Sequence, residues 1–460
     1  MKSNDVDETE SVSTEASASP PIADERDLSR ALVLHPVMPQ RAMQPSRDDG
    51  DSLAEAVALT AALDLDVVDQ ALLPVRRPNP ATLFGEGTVT QMAERAKQAR
   101  VRVVFVNHAL TPVQQRNLEK AWNAKVVDRT GLILEIFGAR ARTREGRLQV
   151  ELATLGYQRS RLVRSWTHLE RQRGGRGFLA GPGESQLEID RRLIDDRIIR
   201  LKRELDEVER TRGLHRKARD RVPYPTVALV GYTNAGKSTL FNRMTGATVM
   251  AKDLLFATLD PTMRAVKLPS GRKIIIADTV GFIADLPTTL VAAFKATLEE
   301  VAQADLILHV RDIAHAETDA QREDVESVLS QLGIEPEGEK PIIEVWNKTD
   351  LLDPAERETL ETATAALGAH DLPKAVAVSA LTGEGMERLF AAIDHFITRE
   401  QAVLDLAVPL TDGQALAWLY SRGDVLSRED NDEVAQLRIG LSSADCSRFR
   451  NRYPHYAASA

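Results

Sequence analysis

A single cysteine, Cys446, occurs in 460 residues. One thiol excludes a disulfide framework and a thiolate metal site, and it fits a reducing compartment, so a cytoplasmic location is expected. No run approaches the roughly 18 uninterrupted apolar residues of a membrane-spanning helix, so no span is predicted. The opening MKSNDVDETE is polar and acidic without an apolar core, so no secretory signal is expected. Aromatics are scarce at 5%, and positive charge is in the minority: 59 Lys and Arg against 68 Asp and Glu, a net of -9. That balance argues against a nucleic-acid partner for the chain taken whole.

What remains is ordinary for a globular protein: 43% hydrophobic and 28% charged residues. Collagen-like, low-complexity and wholly disordered readings are excluded. At roughly 150 residues per domain the length allows about three domains. The charge is unevenly spread. Residues 139–222 hold 22 Lys and Arg against 13 Asp and Glu, a net of +9, which leaves -18 for the remainder. Such a segment either meets a polyanion or forms a solvated, salt-bridged helical face.

Residues 1–29 read as a disordered acidic tail. From residue 30 to 137, apolar runs (ALVLHPV, VRVVFVN) alternate with helical patterns at Ser52 to Leu63, Glu86 to Ala99 and Pro112 to Asn123, which predicts a small α/β domain with a parallel sheet. Residues 138–220 carry two heptad-like series. Leu148, Leu152, Leu155, Leu162, Trp166 and Leu169 form the first, with Arg159 at the missing seam position. Leu187, Ile194, Ile198, Leu201, Leu205 and Val208 form the second, with Arg191 at its gap. The intervening GGRGFLAGPGE (Gly174 to Glu184) cannot be helix interior. The pattern predicts an antiparallel helical hairpin with an irregular basic tip. A second α/β domain is expected over 225–400, and a small α+β appendage over 402–460, with strands at VLDLAV and VAQLRIGL each followed by a helix.

Chemistry concentrates in the second α/β domain. Gly231-Tyr232-Thr233-Asn234-Ala235-Gly236-Lys237-Ser238 matches G-x-x-x-x-G-K-[ST], follows the strand TVALV and opens a helical segment. Its glycines let backbone N–H groups wrap a phosphate at a helix N-terminus. Lys237 would reach the β and γ phosphates, and Ser238 would ligate Mg2+. Asp278-Thr279-Val280-Gly281 follows the strand IIIA, placing Asp278 toward the metal through water and the Gly281 N–H toward the γ-phosphate. Asn347-Lys348-Thr349-Asp350 follows IIEVW. A carboxylate there can pair with the N1–H and amine of guanine, donors that adenine lacks, while the alternative role for Asp350 is to cap a helix. Val378-Ser379-Ala380 follows the last strand, where a backbone N–H can reach the guanine oxygen.

These four motifs, in order and each at the end of a strand, resemble the translation-factor-related GTPase superfamily. The resemblance implies a further threonine that completes the magnesium shell with GTP. The candidate is Thr258 in Phe256-Ala257-Thr258-Leu259-Asp260, with Thr262 as the weaker choice. Lys237, Thr258 and Gly281 are the catalytic candidates. One departure is plain: where many such GTPases place a water-orienting glutamine, this sequence has Phe282, so hydrolysis is expected to be weak alone or completed by another group. Asn234 stands where a subset of these GTPases helps ligate K+.

The flanking strings NPATLFGEG, VVDRTGLILEIFGARARTREGRLQVELA, GPGESQLEIDRR, DLLFATLDPTMR and DTVGFIADLP are similar to the HflX family of ribosome-associated GTPases. Ser185 stands where that family usually has Thr, and GGRGFLA replaces its common GGIGTR pattern. The resemblance implies a P-loop GTPase domain preceded by the small α/β domain and hairpin and followed by the appendage. It implies binding of GTP and GDP with Mg2+, association with the large ribosomal subunit near the peptidyl-transferase centre, and separation of stalled or idle ribosomes after heat stress. Arg171, Arg173 and Arg176 at the tip and Arg140, Arg142 and Arg144 at the base are the candidates for RNA contact, each otherwise a solvated charge. A monomer that binds no DNA is expected, with peripheral membrane association carried as a further possibility. The rival reading is a GTP-dependent adaptor that binds a protein or membrane through the arm. An RNA-modifying enzyme is disfavoured by the absence of a Cys nucleophile or clustered His near the arm. His309 and the tryptophans read as packing, and Cys446 as a structural thiol.

Overall fold

The computed structural model describes residues 29–39, 48–172, 186–219, 224–246, 256, 262–284, 295–335, 338, 340–367, 373–399 and 401–456.

Strands β1 (Arg30–Val37), β2 (Asp66–Pro74), β3 (Val103–Val106) and β4 (Lys125–Asp128) pair in parallel in the order β2-β1-β3-β4. Period-two alternation sends side chains of one strand to opposite faces, and both faces of this sheet are covered. Leu32 and Leu34 pack with Met92, Leu118 and Trp122 on one side, whereas Val33 and Phe105 pack with Leu59 and Ile133 on the other. The covering helices are α1 (Asp49–Ala61), α2 (Glu86–Gln98), α3 (Pro112–Trp122) and α4 (Arg129–Arg140). Strands β2 and β4 add to the sequence expectation. The first is a half-exposed edge strand broken by Asp69 and Gln70, and the second is only 4 residues long.

Helices α5 (Arg144–Gln172) and α6 (Gln186–Arg219) form the expected hairpin. Leu148 packs on Leu201 and Leu205, Glu151 pairs with Arg197 at 2.8 Å, and Arg159 pairs with Asp195 at 3.0 Å. As one partner's number rises the other's falls, so the helices run antiparallel. Arg159 fills its seam position by pairing across the hairpin. The tip with Arg173 and Arg176, and the side chains of Trp166, Leu169, Arg171 and Leu187, lie outside the described residues.

The third unit is a six-stranded sheet of order β10-β9-β8-β5-β7-β6. Its strands are β5 (Thr226–Val230), β6 (Thr262–Lys267), β7 (Lys273–Asp278), β8 (Leu306–Asp312), β9 (Ile342–Asn347) and β10 (Ala375–Ala377). All pair in parallel except the edge strand β6. Helices α7 (Lys237–Thr245), α8 (Lys295–Gln303), α9 (Thr318–Gln331) and α10 (Pro354–Leu367) lie between them in the chain, and α11 (Met386–Arg399) follows β10. Strand order reverses at β5, so its C-terminal end opens onto the crevice where such sheets bind ligands.

The last unit, β11 (Gln401–Pro409), α12 (Gly413–Arg422), β12 (Asp424–Asp430), β13 (Val434–Ser442) and α13 (Ser443–Arg452), is an antiparallel sheet of order β11-β13-β12. Phe449, Leu419 and the buried Cys446 pack on Leu406, Leu437 and Ile439. The edge strand β12, DVLSRED, is polar enough to escape a hydrophobicity reading. Among the described residues no helix is long and apolar enough to cross a membrane.

One apolar cluster spans two units. Leu59, Phe105, Ile133 and Phe137 of the first pack with Val230, Tyr232, Phe256, Phe282 and Ile283 of the third.

Candidate functional site

Buried strand β5 ends at Val230, the chain turns through 231–236, and α7 begins at Lys237. Gly236 has φ 93°, and a Cβ there would overlap the Asn347 amide, so only glycine fits. Asn234, exposed, holds φ 61°, a conformation Asn tolerates better than most residues. The start of α7 has no side-chain cap, which leaves its first N–H groups for an anion. Lys237 is 6% exposed, and its Nζ donates to the carbonyls of Gly231 (3.1 Å) and Tyr232 (2.7 Å). Burial lowers its pKa from 10.5 to about 8, against the opposing charge of Asp278. Ser238 Oγ donates to Asp278 Oδ2 at 2.8 Å, which places two hard oxygen groups side by side at the loop.

The segment after Asp278 is tied to this loop. The Thr233 N–H donates to the Phe282 carbonyl at 2.7 Å and the Phe282 N–H to the Gly231 carbonyl at 3.1 Å, a one-residue parallel bridge. The Phe282 side chain is buried in the cluster shared by the two units.

On the other side, Asn347 joins two motifs: its Nδ2 donates to the Ala235 carbonyl at 2.8 Å and its Oδ1 accepts from the Ala380 N–H at 2.9 Å. Lys348 donates to Asp312 Oδ2 at 2.7 Å. Asp350 Oδ1 accepts from Ser379 Oγ at 2.6 Å, so the carboxylate is held over the loop 378–380. The capping alternative for Asp350 does not hold. The cap before α10 is Asp353, whose Oδ1 accepts from the Glu356 N–H at 2.8 Å while Glu356 Oε2 accepts from the Asp353 N–H at 3.0 Å.

Three residues outside the motifs adjoin this site. The Tyr232 hydroxyl donates to the Glu55 carboxylate on α1 and accepts from the Ala284 N–H at 2.9 Å. Arg129, at the start of α4, donates to Glu55 Oε1 (2.7 Å), to the Ala284 carbonyl (2.9 Å) and to Asn107 Oδ1 (2.6 Å). Its neighbour Asp128 caps α4 through the Gly131 N–H at 2.8 Å and accepts from Tyr157 (2.5 Å) and Arg161 (3.1 Å) of α5. Burial pushes the Asp128 carboxyl up, with Arg161 opposing. Phe137 meets Phe256 edge-on with centroids 4.7 Å apart. Sequence reasoning missed Glu55, Arg129 and Asp128, because the partners lie as far as 177 residues apart and no local pattern marks them.

The four motifs thus converge on one crevice. Of the fifth segment, Phe256 is buried, while Ala257, Thr258, Leu259 and Asp260 lie outside the described residues; Thr262 opens β6. At the arm's base Arg140 donates to the Ala62 carbonyl at 3.2 Å, and Arg142 and Arg144 are exposed. His309 is buried and neutral, its pKa lowered to about 4 by burial.

Four family models match the chain. They are described as GTP-binding GTPase N-terminal (residues 50–138), GTP-binding GTPase Middle Region (140–219), 50S ribosome-binding GTPase (226–348) and HflX C-terminal domain (366–457). A GTPase HflX of Magnetococcus marinus is 51% identical over 401 residues, covering 86% of this chain and 90% of that protein. A GTPase HflX of Escherichia coli is 42% identical, covering 88% of this chain and 93% of that protein. One from Caldanaerobacter subterraneus is 40% identical, covering 93% and 94%.

Proposed function

The chain belongs to the HflX family of GTPases, and on that premise we propose that it is a GTP-controlled factor that binds the large ribosomal subunit and separates stalled or idle ribosomes. In this reading residues 231–238 cradle the phosphates, Asp350 selects guanine, and the loop 378–380 meets the guanine oxygen. Mg2+ fits the oxygen pair formed by Ser238 and Asp278. Among the described residues no group of three or more His, Cys, Asp or Glu could hold a metal, so the phosphates and Thr258 would complete its shell. Bound there, Mg2+ would neutralise charge on the β and γ phosphates. K+ at Asn234 would add to that neutralisation. Lys237 and the Gly281 N–H would stabilise the transferring phosphoryl group, while Phe282 offers no hydrogen bond to water, so turnover by the chain alone is slow.

The observation that carries the ribosomal reading is a junction. The unit that leads into the +9 arm is sealed onto Tyr232, Phe256 and residues 282–284, the segments a γ-phosphate would reorder. The arm's net charge suits rRNA phosphates, and its few aromatics favour contact with the backbone over base stacking. Arg171, Arg173 and Arg176 would lead that contact, toward the peptidyl-transferase centre. Heat stress, which stalls ribosomes, is the condition in which the factor would act, as a cytoplasmic monomer. The test is sucrose-gradient sedimentation of whole ribosomes with this protein and a non-hydrolysable GTP analogue. Separated subunits are expected. An unchanged ribosome peak sinks the splitting role, and if the ribosome is also ignored, the adaptor reading takes its place.

A further inference from the structure

Phosphoryl transfer to water needs a polar group that holds the water in line with the γ-phosphate. Phe282 cannot supply it. Its ring is 1% exposed within the inter-unit cluster, and its N–H and carbonyl are both bonded to the phosphate loop. Bringing any atom of Phe282 to a water would break both the bridge and the packing.

The groups beside Gly281 can be read from what a Cβ on that glycine would touch. It would lie 3.0 Å from Lys237 Nζ, 3.0 Å from Thr233 Cα and 3.0 Å from Thr233 Cγ2. The lysine ammonium, Gly281 and the Thr233 methyl therefore share one small volume, with the Thr233 hydroxyl carried on the same Cβ as that methyl. The ammonium marks where β and γ phosphates lie, and the Gly281 N–H marks the γ-phosphate. Thr233 is 6% exposed, and its Oγ1 is buried with no hydrogen-bond partner among the described residues. Buried hydroxyls are as a rule satisfied, so this one points to a partner that arrives with the ligand. Its position is fixed: the residue's own N–H is held by Phe282, and a β-branched side chain is stiff at χ1.

We propose that the Thr233 hydroxyl orients the attacking water during GTP hydrolysis, taking the place of the glutamine that this chain lacks. In the step, the water oxygen bonds to the γ-phosphorus as the bond from that phosphorus to the β–γ bridging oxygen breaks. The bridging oxygen leaves with the electron pair as part of GDP, and the water's proton passes to the released phosphate. Thr233 Oγ1 accepts a hydrogen bond from the water and ends unchanged; a hydroxyl can donate to a phosphate oxygen at the same time. The proposal rests on residues 231–238 being the phosphate loop.

The experiment compares wild type, Thr233→Val and Thr233→Ser in the full-length chain. It measures single-turnover GTP hydrolysis, affinity for GDP and for a non-hydrolysable GTP analogue, and formation of the complex with GDP and aluminium fluoride. Thr233→Val keeps the shape and removes the hydroxyl. It is expected to slow hydrolysis about 100-fold, to hold both affinities within about threefold, and to lose the aluminium fluoride complex. Thr233→Ser is expected to retain the rate within about fivefold. Wild-type hydrolysis by Thr233→Val overturns the assignment. So does a fall in GDP affinity that parallels the rate, since the hydroxyl is then a binding or folding group. A wild-type chain that binds no guanine nucleotide overturns instead the phosphate-loop reading beneath the proposal.

Discussion

Asp128 and Arg129 are neighbours at the start of α4 and serve opposite partners. The Asp128 carboxylate accepts from Tyr157 and Arg161 of the arm, whereas the Arg129 guanidinium reaches Glu55 and the Ala284 carbonyl beside the nucleotide loop. The turn that begins α4 therefore touches both the arm and the segment that follows Gly281.

Removing the guanidinium takes the counter-charge from a carboxylate. The Arg129 and Glu55 side chains are 9% and 17% exposed, so Arg129→Met leaves Glu55 largely buried without an opposite charge, bonded still by the Tyr232 hydroxyl. Breaking such a pair costs about 3 kcal/mol. Hydrogen exchange at 282–284 and in α1 should accelerate accordingly, and protection unchanged within a factor of two or so would show that the pair carries no weight.

Asp128 is tested from the arm's side. Asp128→Ala removes the cap of α4 and the acceptor for Tyr157 and Arg161, and should cost about 3 kcal/mol. The loss should appear as faster exchange in the first turn of α4 and at the base of α5, with β11 to β13 unaffected. Uniform acceleration along the whole chain would instead mean general unfolding.

On the proposed reading of residues 231–238 as the phosphate loop, Lys237 should make nucleotide binding proton-linked. Its pKa near 8 reflects burial, which disfavours the charged form. Phosphate beside it restores the charge and raises the pKa. Near pH 8, where about half the ammonium has lost its proton, GDP binding should take up about half a proton. At pH 6 the lysine is already charged and contributes no uptake. Titration calorimetry in two buffers of different ionisation enthalpy reads the difference; identical enthalpies at pH 8 contradict it.

Asp350→Asn tests guanine selection. The amide oxygen can still accept from N1–H, but its NH2 then faces the exocyclic amine, a desolvated donor pair that should weaken GTP by roughly 100-fold, whereas xanthine, which has an oxygen in place of the amine, should gain. Fluorescent-nucleotide competition would show the exchange. Equal losses for both bases would place Asp350 outside the base pocket.

How much of this was legible in sequence depends on how local each feature is. Residues 231–238 and 278–281 are set by backbone geometry within a few positions, and the strands before them are buried enough to read as apolar runs. The heptad series likewise exposed the hairpin, including the polar Arg159 position. Strands β2, β4 and β12 were illegible because they are short, polar or at an edge. The contacts of Glu55, Asp128 and Arg129 were illegible because tertiary packing alone brings them to the loop, and Tyr232 carries no local sign that its hydroxyl faces another unit. Thr233 was legible as a member of the phosphate-loop motif, but the burial of its unpaired hydroxyl was not.

The central claim is that guanine nucleotide governs engagement of the large ribosomal subunit by the arm. Pelleting of this protein with isolated large subunits tests it most directly, at two salt concentrations and with either a non-hydrolysable GTP analogue or GDP. The account predicts at least about tenfold tighter binding with the analogue, weakened by salt and by replacing Arg171, Arg173 and Arg176 with Gln. Equal pelleting with both nucleotides, or none with either, would contradict it.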